Sequence, residues 1–334
     1  MTAPNITDRT ANHVALESFA SQAVDQGSVD SDLSSSASAS AAPRYSIRSA
    51  VQSDIECLPQ FFAVGPPRTA TTWLHRVLRA HVTLPKSVKE TRFFDLRYAQ
   101  GMRWYAAHFA HGAPGRLAGE IAPTYFHSDD ARTRIAKMLP DAKIICTFRD
   151  PSERLYSLYK LKRASGKLAC SFQDAVRSDP EMVQSSRYVH YLARWRAAFG
   201  PGRVLVLIYE DLHRDPDAFV RKVCEFIGID PIGLDAAMRE PVNSTDGVAI
   251  PAHPAWTRLG ISASEWMRSH RYDRTMAVVR KLGLLRLFLS ARPTPTPPPD
   301  PMQVAELRLR LRSEIEQLEE VLGIELPDWK RTGA

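Results

Sequence analysis

Phe61-Phe62-Ala63-Val64-Gly65-Pro66-Pro67-Arg68-Thr69-Ala70-Thr71-Thr72-Trp73-Leu74 passes from a short apolar run, through a Gly-Pro-Pro turn, into a hydroxyl-rich helical pattern. A strand that turns tightly into a helix leaves the first N–H groups of that helix without partners, and the helix dipole makes them an anion site. Arg68 adds a full charge with planar donors, and Thr69, Thr71 and Thr72 add hydroxyls. A phosphate-like or sulfate-like group is expected here.

Three further apolar runs read as buried strands: Leu117-Ala118-Gly119-Glu120, Lys143-Ile144-Ile145-Cys146-Thr147-Phe148, and Arg203 to Tyr209. Runs without polar alternation suit a parallel sheet covered on both faces. Helix signals lie between them. One helix starts at Asp150-Pro151-Ser152-Glu153, with Asp as N-cap, Pro at the first position and Glu153 to close a capping box. Another starts at Asp215-Pro216 and stops before Gly228. The expected fold is α/β: a P-loop-like, doubly wound, mainly parallel sheet flanked by helices in a single domain, with ligands at the carboxyl ends of the strands.

The chain has 334 residues and a net charge of +7. Residues 1–55 are low in aromatics and include a Ser/Ala run, so they read as a disordered tail, with a weak helical pattern around Val14–Val24. That segment holds three Arg and six Asp/Glu, leaving a +10 body at 56–331. A proline-rich linker at 292–301 precedes a helical stripe of Val304, Leu307, Leu311, Ile315, Leu318 and Leu322, stopped by Gly323. This last helix is expected to pack back on the domain. Cys57, Cys146, Cys170 and Cys224 are scattered without metal or disulfide spacing, which favours a reducing compartment. With no signal peptide and no apolar run long enough to span a bilayer, the sequence reads as cytoplasmic.

A second anion site is readable in Arg149–Tyr159. Arg149 ends a strand at the same sheet edge as the first loop, and Ser157 lies on the following helix. Arg149 is assigned to ligand. For Arg154, pairing with Asp150 or Glu153 is an equal alternative. Two anion sites on one edge suit a nucleotide phosphorylated at two separate positions. Aligning Gly65 with the first Gly of an ATP loop puts Ala70 on the second Gly and Thr71 on its Lys. Arg149 stands where a metal-holding carboxylate might be sought, and Asp211 alone is a weak substitute. No metal is therefore expected.

Phe62–Leu74 resembles the 5′-phosphosulfate loop of the PAPS-dependent sulfotransferases, P-[KR]-[ST]-G-T-T, and Arg149–Tyr159 resembles their 3′-phosphate motif, R-x-P-x-x-R-x-x-S-x-Y. Lys89-Glu90-Thr91-Arg92-Phe93-Phe94-Asp95 is similar to the E-x-x-F-F segment of the carbohydrate O- and N-sulfotransferases, and Glu120–Phe126 to their E-x-x-P-x-Y segment. Tyr209-Glu210-Asp211-Leu212 and the closing Leu318–Trp329 pattern extend the likeness over roughly Gln60 to Trp329.

The resemblance implies roles residue by residue. Arg68 would stabilise charge on the bridging and sulfuryl oxygens. Thr71 and Thr72, with the backbone of Thr69 and Ala70, would hold the 5′-phosphate, and Arg149 and Ser157 the 3′-phosphate. Trp73 would stack on adenine, against the alternative of a core position. Glu90 would be the general base for the acceptor hydroxyl, against the alternative of a solvated charge. Ala70 replaces the loop Gly, Arg68 the Lys of many members, and Ile121 a Lys that glycan-modifying members often carry, for which Lys86 or Lys89 would compensate. The implied reaction moves a sulfuryl group from PAPS to a carbohydrate or glycolipid hydroxyl. The alternatives are an ATP-dependent kinase and a non-catalytic binder of nucleic acid or of an acidic polymer; no nucleic-acid partner is expected. His108, His111, His127 and His190 read as surface or satisfied core. Tyr188, Tyr191 and Trp195 read as core, and Arg163–Arg187 as a pocket loop, as does Asn243–Tyr272.

Overall fold

The computed structural model describes residues 57–239, 259–260, 262–263, 266–267 and 299–331. The 1–55 tail, residues 292–298 of the linker and most of Asn243–Tyr272, the other stretch read as a pocket loop, lie outside these residues.

In chain order the elements are β1 (Phe61–Gly65), α1 (Thr71–Leu78), α2 (Gly101–Ala106), β2 (Gly119–Ile121), α3 (Asp129–Met138), β3 (Lys143–Phe148), α4 (Pro151–Ala164), α5 (Phe172–Ser178), α6 (Pro180–Gln184), α7 (Tyr188–Phe199), β4 (Val204–Ile208), α8 (Tyr209–Arg214), α9 (Pro216–Ile227), α10 (Ala236–Arg239) and α11 (Pro301–Leu322). The four strands form one parallel sheet in the order β2-β1-β3-β4. The two central strands are β1 and β3, whose exits carry the two anion motifs. The arrangement is the parallel sheet flanked by helices that the apolar runs imply.

Side chains alternate across the sheet, as the two-residue strand period requires. Phe62, Val64, Ile144, Cys146 and Phe148 enter one core, which α4, α7 and α11 complete with Leu155, Leu192, Trp195 and Ile315. Phe61, Ala63 and Ile145 enter a second core, with Leu74 and Val77 of α1 and Phe219 and Val223 of α9. Both faces are covered, so no strand residue needs to be polar on either side. Gly119 is required by this packing: a Cβ there would lie 2.1 Å from Cε1 of Phe61, whose ring crosses β2.

The caps follow the sequence signals, with one exchange. Asp150 caps α4 through the N–H groups of Ser152 (2.8 Å) and Glu153 (3.4 Å), and Asp215 caps α9 through Ala218 N–H. Glu153 does not close the box. The N–H of Asp150 donates instead to Glu210 Oε1 at 3.0 Å, because parallel pairing sets the β4 exit beside the β3 exit. The helical stripe after the proline-rich segment is α11. It buries Leu307, Leu311, Ile315 and Leu318 against the domain and ends in the left-handed Gly323. Arg163–Arg187, read as a pocket loop, contains α5 and α6, each N-capped by a side chain, Ser171 and Asp179.

Candidate active site

The first loop is built by close approach. Gly65, at φ +94°, abuts the exit of β2 so tightly that a Cβ would sit 2.7 Å from both Cα and Cβ of Pro123. Arg68 (φ 75°) and Ala70 (φ 62°) then take left-handed backbone within three positions. Loops curled in this way carry N–H groups toward a shared concavity that suits an anion. Thr69 is buried and donates its Oγ1 hydrogen to Pro66 O at 2.7 Å, so its hydroxyl braces the loop from inside. Ala70 is the N-cap of α1 and supplies no side-chain acceptor, which leaves the first-turn N–H groups at Thr71 and Thr72 without a side-chain cap. Ala70 holds this left-handed backbone despite its Cβ, a conformation that a glycine would adopt without strain.

The second motif meets the first directly. Arg68 Nε donates to Ser157 Oγ at 2.9 Å across 89 residues of sequence. Burial lowers the pKa of Arg68, and the nearby Arg149 lowers it further, so the two guanidinium groups share one neighbourhood. No carboxylate pairs with Arg68 among the described residues. Arg149 pairs with Glu153 Oε2 at 3.3 Å and lies 4.6 Å above the ring of Tyr209, while its carbonyl accepts from Tyr188 OH at 2.9 Å. Glu210 also lies within electrostatic reach of Arg149, and two neighbouring guanidinium groups, one of them with no carboxylate partner among the described residues, suit anionic oxygens.

Arg154 departs from both alternatives open in the sequence. It pairs with neither Asp150 nor Glu153. Fully buried, it donates to Pro67 O at 3.4 Å, Met182 O at 3.3 Å, Ser185 Oγ at 3.0 Å and Ser186 Oγ. It ties the first loop to the end of α6 from behind. Trp73 is also corrected: it is 3% exposed, its Nε1 donates to Met238 O at 2.7 Å, and its ring meets Phe219 edge-on at 5.9 Å. This is a core position with no free ring face for a base.

Glu90 sits on a segment pinned from below. Phe93 and Phe94 are fully buried, Phe93 stacking on Tyr105 at 4.6 Å and Phe94 meeting Phe62 of β1 at 5.8 Å. Glu120 of β2 is wholly buried beneath the same segment. Its carboxyl accepts from Thr91 N–H (2.8 Å), Thr91 Oγ1 (2.6 Å) and Tyr105 OH (2.8 Å), which fixes the residue next to Glu90. Burial still pushes this carboxyl up to about 7. Glu90 itself is partly exposed and accepts from Lys89 Nζ at 2.9 Å. Lys89 in turn helps burial hold the His75 imidazole down to about 4, which sets the segment beside α1. Lys86 is exposed, and its carbonyl contacts His108 Nδ1 at 3.1 Å.

Tyr188, Tyr191 and Trp195 are core: Tyr188 stacks on Phe148 at 4.6 Å, and Trp195 is fully buried. Asp211 pairs with Arg214 at 3.2 Å. Among the described residues there is no cluster of three His, Cys, Asp or Glu side chains set to hold a metal ion, and no helix long and apolar enough to cross a membrane.

The profile of the sulfotransferase domain matches residues 58–243, more than half of the chain. The chain belongs to the sulfotransferase family. That membership disfavours the kinase alternative. The chain is 30% identical over 199 residues to human bifunctional heparan sulfate N-deacetylase/N-sulfotransferase 3, covering 52% of this chain and 23% of that protein. It is 29% identical over 187 residues to mouse heparan sulfate glucosamine 3-O-sulfotransferase 3B1, covering 53% of this chain and 48% of that protein. The chain thus spans about a quarter of the length of the first of these relatives and about half of the second. Its fold is shared with the crystal structure of a sulfotransferase from Alicyclobacillus acidocaldarius, at a TM-score of 0.58 and 20% identity, over 82% of this chain and 99% of that one.

Tyr209, Arg154 and the Glu120 carboxyl are parts of the site whose supporting roles the sequence left unassigned. For Tyr209 a signal existed: the strand order of a doubly wound sheet sets the residue after β4 beside the residue after β3.

Proposed function

We propose that this sulfotransferase moves the sulfuryl group of PAPS to a hydroxyl of a carbohydrate or glycolipid acceptor and releases 3′,5′-ADP. The observation that carries the reading is the 2.9 Å hydrogen bond from Arg68 to Ser157, which joins the two anion motifs into one site. The residues present fit a doubly phosphorylated nucleotide, since among the described residues Arg68 has no carboxylate partner and the first turn of α1 has no side-chain cap. Arg149 and Ser157 bind the 3′-phosphate, and Thr71, Thr72 and the backbone of Thr69 and Ala70 bind the 5′-phosphate. Arg68 meets the negative charge that grows on the bridging oxygen as the S–O bond breaks. Arg68 stays protonated throughout, so it acts by charge and not by giving up a proton.

Glu90 takes the proton from the acceptor hydroxyl as its oxygen bonds to sulfur in line with the leaving phosphate. The Lys89 ammonium beside it orients the carboxylate in the resting site. No step requires a metal. The relatives named for heparan sulfate support a carbohydrate acceptor, and the scattered thiols support a cytoplasmic setting. Incubation with sulfur-labelled PAPS and a panel of glycans, glycolipids and phenols tests the reading. Label transferred to a sugar hydroxyl, and lost in Glu90→Gln, supports it. Transfer to phenols alone, or full activity in Glu90→Gln, overturns the acceptor or the base.

A further inference from the structure

The helix α11 lies beyond residues 58–243, the span that the sulfotransferase domain profile matches. It nevertheless reaches the nucleotide edge of the sheet. Arg308 donates from its terminal nitrogen to Asp150 Oδ2 at 2.9 Å and from Nε to Ser152 Oγ at 3.2 Å. Its other terminal nitrogen donates to the carbonyl of Arg331, so the guanidinium is held from both sides. The Asp150 side chain is 6% exposed and that of Arg308 18%, so water screens this pair weakly.

We infer that Arg308 is a positioning residue for the 3′-phosphate subsite, acting through the cap of α4. The inference rests on the nucleotide reading above. Asp150 follows Arg149 directly and is the N-cap of the helix that carries Ser157, so its orientation sets both 3′-phosphate ligands. One of its oxygens is committed to the Ser152 and Glu153 N–H groups; Arg308 takes the other.

Electrostatics gives a second reason. Asp150 places a buried negative charge beside a site that has to accept a dianion. Without Arg308 that charge is uncompensated and opposes the ligand, because like charges in a poorly screened site repel strongly. With Arg308 the pair is neutral, and Asp150 no longer opposes an anion held by Arg149 and Arg68. The rest of the C-terminal segment presses on the same edge. Glu314 accepts from the N–H of Val189 at 2.7 Å, and the Trp329 ring lies 6.4 Å from that of Tyr188, the side chain that holds the Arg149 carbonyl. By linkage, occupancy of the 3′-phosphate subsite and docking of α11 favour each other.

The test measures calorimetric affinities for 3′,5′-ADP and for 5′-AMP, which lacks the 3′-phosphate, on the full chain. Wild type, Arg308→Ala, Arg308→Lys and Lys330→Ala are compared. Lys330→Ala breaks the Lys330–Glu319 pair at the far end of α11 and controls for general loosening of the helix. The expected result is that Arg308→Ala weakens 3′,5′-ADP about tenfold, equal to ~1.4 kcal/mol, and leaves 5′-AMP unchanged. Arg308→Lys should recover part of the loss, since it restores the charge without the fork. Lys330→Ala should keep the wild-type preference. Equal weakening of both nucleotides by Arg308→Ala, an unchanged preference for 3′,5′-ADP, or the same loss in Lys330→Ala would overturn the inference. A wild-type chain that does not distinguish the two nucleotides would instead overturn the nucleotide reading itself.

Discussion

Replacing Glu120 by Gln should flatten part of the pH dependence of folding. The Glu120 carboxyl is wholly buried, and burial lifts its pKa from 4.5 to about 7, although hydrogen bonds from Thr91 and Tyr105 oppose the rise. Between those values the native chain keeps a proton that the unfolded chain has released. Stability is therefore greatest below the unfolded value, falls as pH rises, and reaches its floor above the folded value. At about 1.4 kcal/mol for each pH unit separating the two, the loss comes to ~3 kcal/mol. Gln cannot ionise and keeps an oxygen that accepts from Thr91. Urea unfolding followed by tryptophan fluorescence, at about pH 5 and about pH 8, gives the difference between variant and wild type at each. That difference should move in favour of Gln by about 2–3 kcal/mol from the lower pH to the higher. A difference that stays constant with pH, or moves the other way, would refute the claim that this carboxyl is held protonated by burial.

Three further predictions follow from the site. Ala70→Gly relieves a left-handed alanine, worth ~1–2 kcal/mol, against ~0.5–1 kcal/mol of extra glycine entropy; the urea midpoint should rise slightly at constant slope, and a drop would show that the Ala70 backbone is not strained. Gly119→Ala drives a Cβ into the Phe61 ring where the edge strand β2 meets β1 and should cost about 1–3 kcal/mol in the same assay; a neutral result would contradict the packing of β1 on β2. Glu90→Gln should lower kcat ~10²–10⁴-fold while leaving the Kd for 3′,5′-ADP close to wild type, whereas Arg68→Ala should lower both turnover and nucleotide affinity.

The sequence makes the sheet legible because its strands are buried on both faces. Uninterrupted runs such as Lys143–Phe148 have no other stable use in a chain of this kind. The Gly-Pro-Pro loop and the Asp150 and Asp215 caps were legible for a similar reason, since each is decided within a few residues of backbone. What stayed hidden was set by contacts distant in sequence. The acceptor for Asp150 N–H is Glu210, sixty residues on, and not the local Glu153. Arg154 looked like one half of a helical ion pair, yet the loop at Pro67 and the serines at 185 and 186 claim it. Trp73, in the first turn of the helix that follows the first anion motif, reads by its sequence position as either core or base stacking. The packing of α9 and the Met238 carbonyl decide for the core. The α11 stripe was readable, but nothing in its period shows that Arg308 crosses to the cap of α4.

The most direct measurement of the central claim is a titration with 3′,5′-ADP in the presence of EDTA, beside one with ATP and magnesium. One site joined through Arg68 and Ser157 predicts saturable binding of 3′,5′-ADP without metal, weakened by Arg149→Ala and by Ser157→Ala. Binding of the magnesium nucleotide alone, or 3′,5′-ADP binding indifferent to both substitutions, would contradict it.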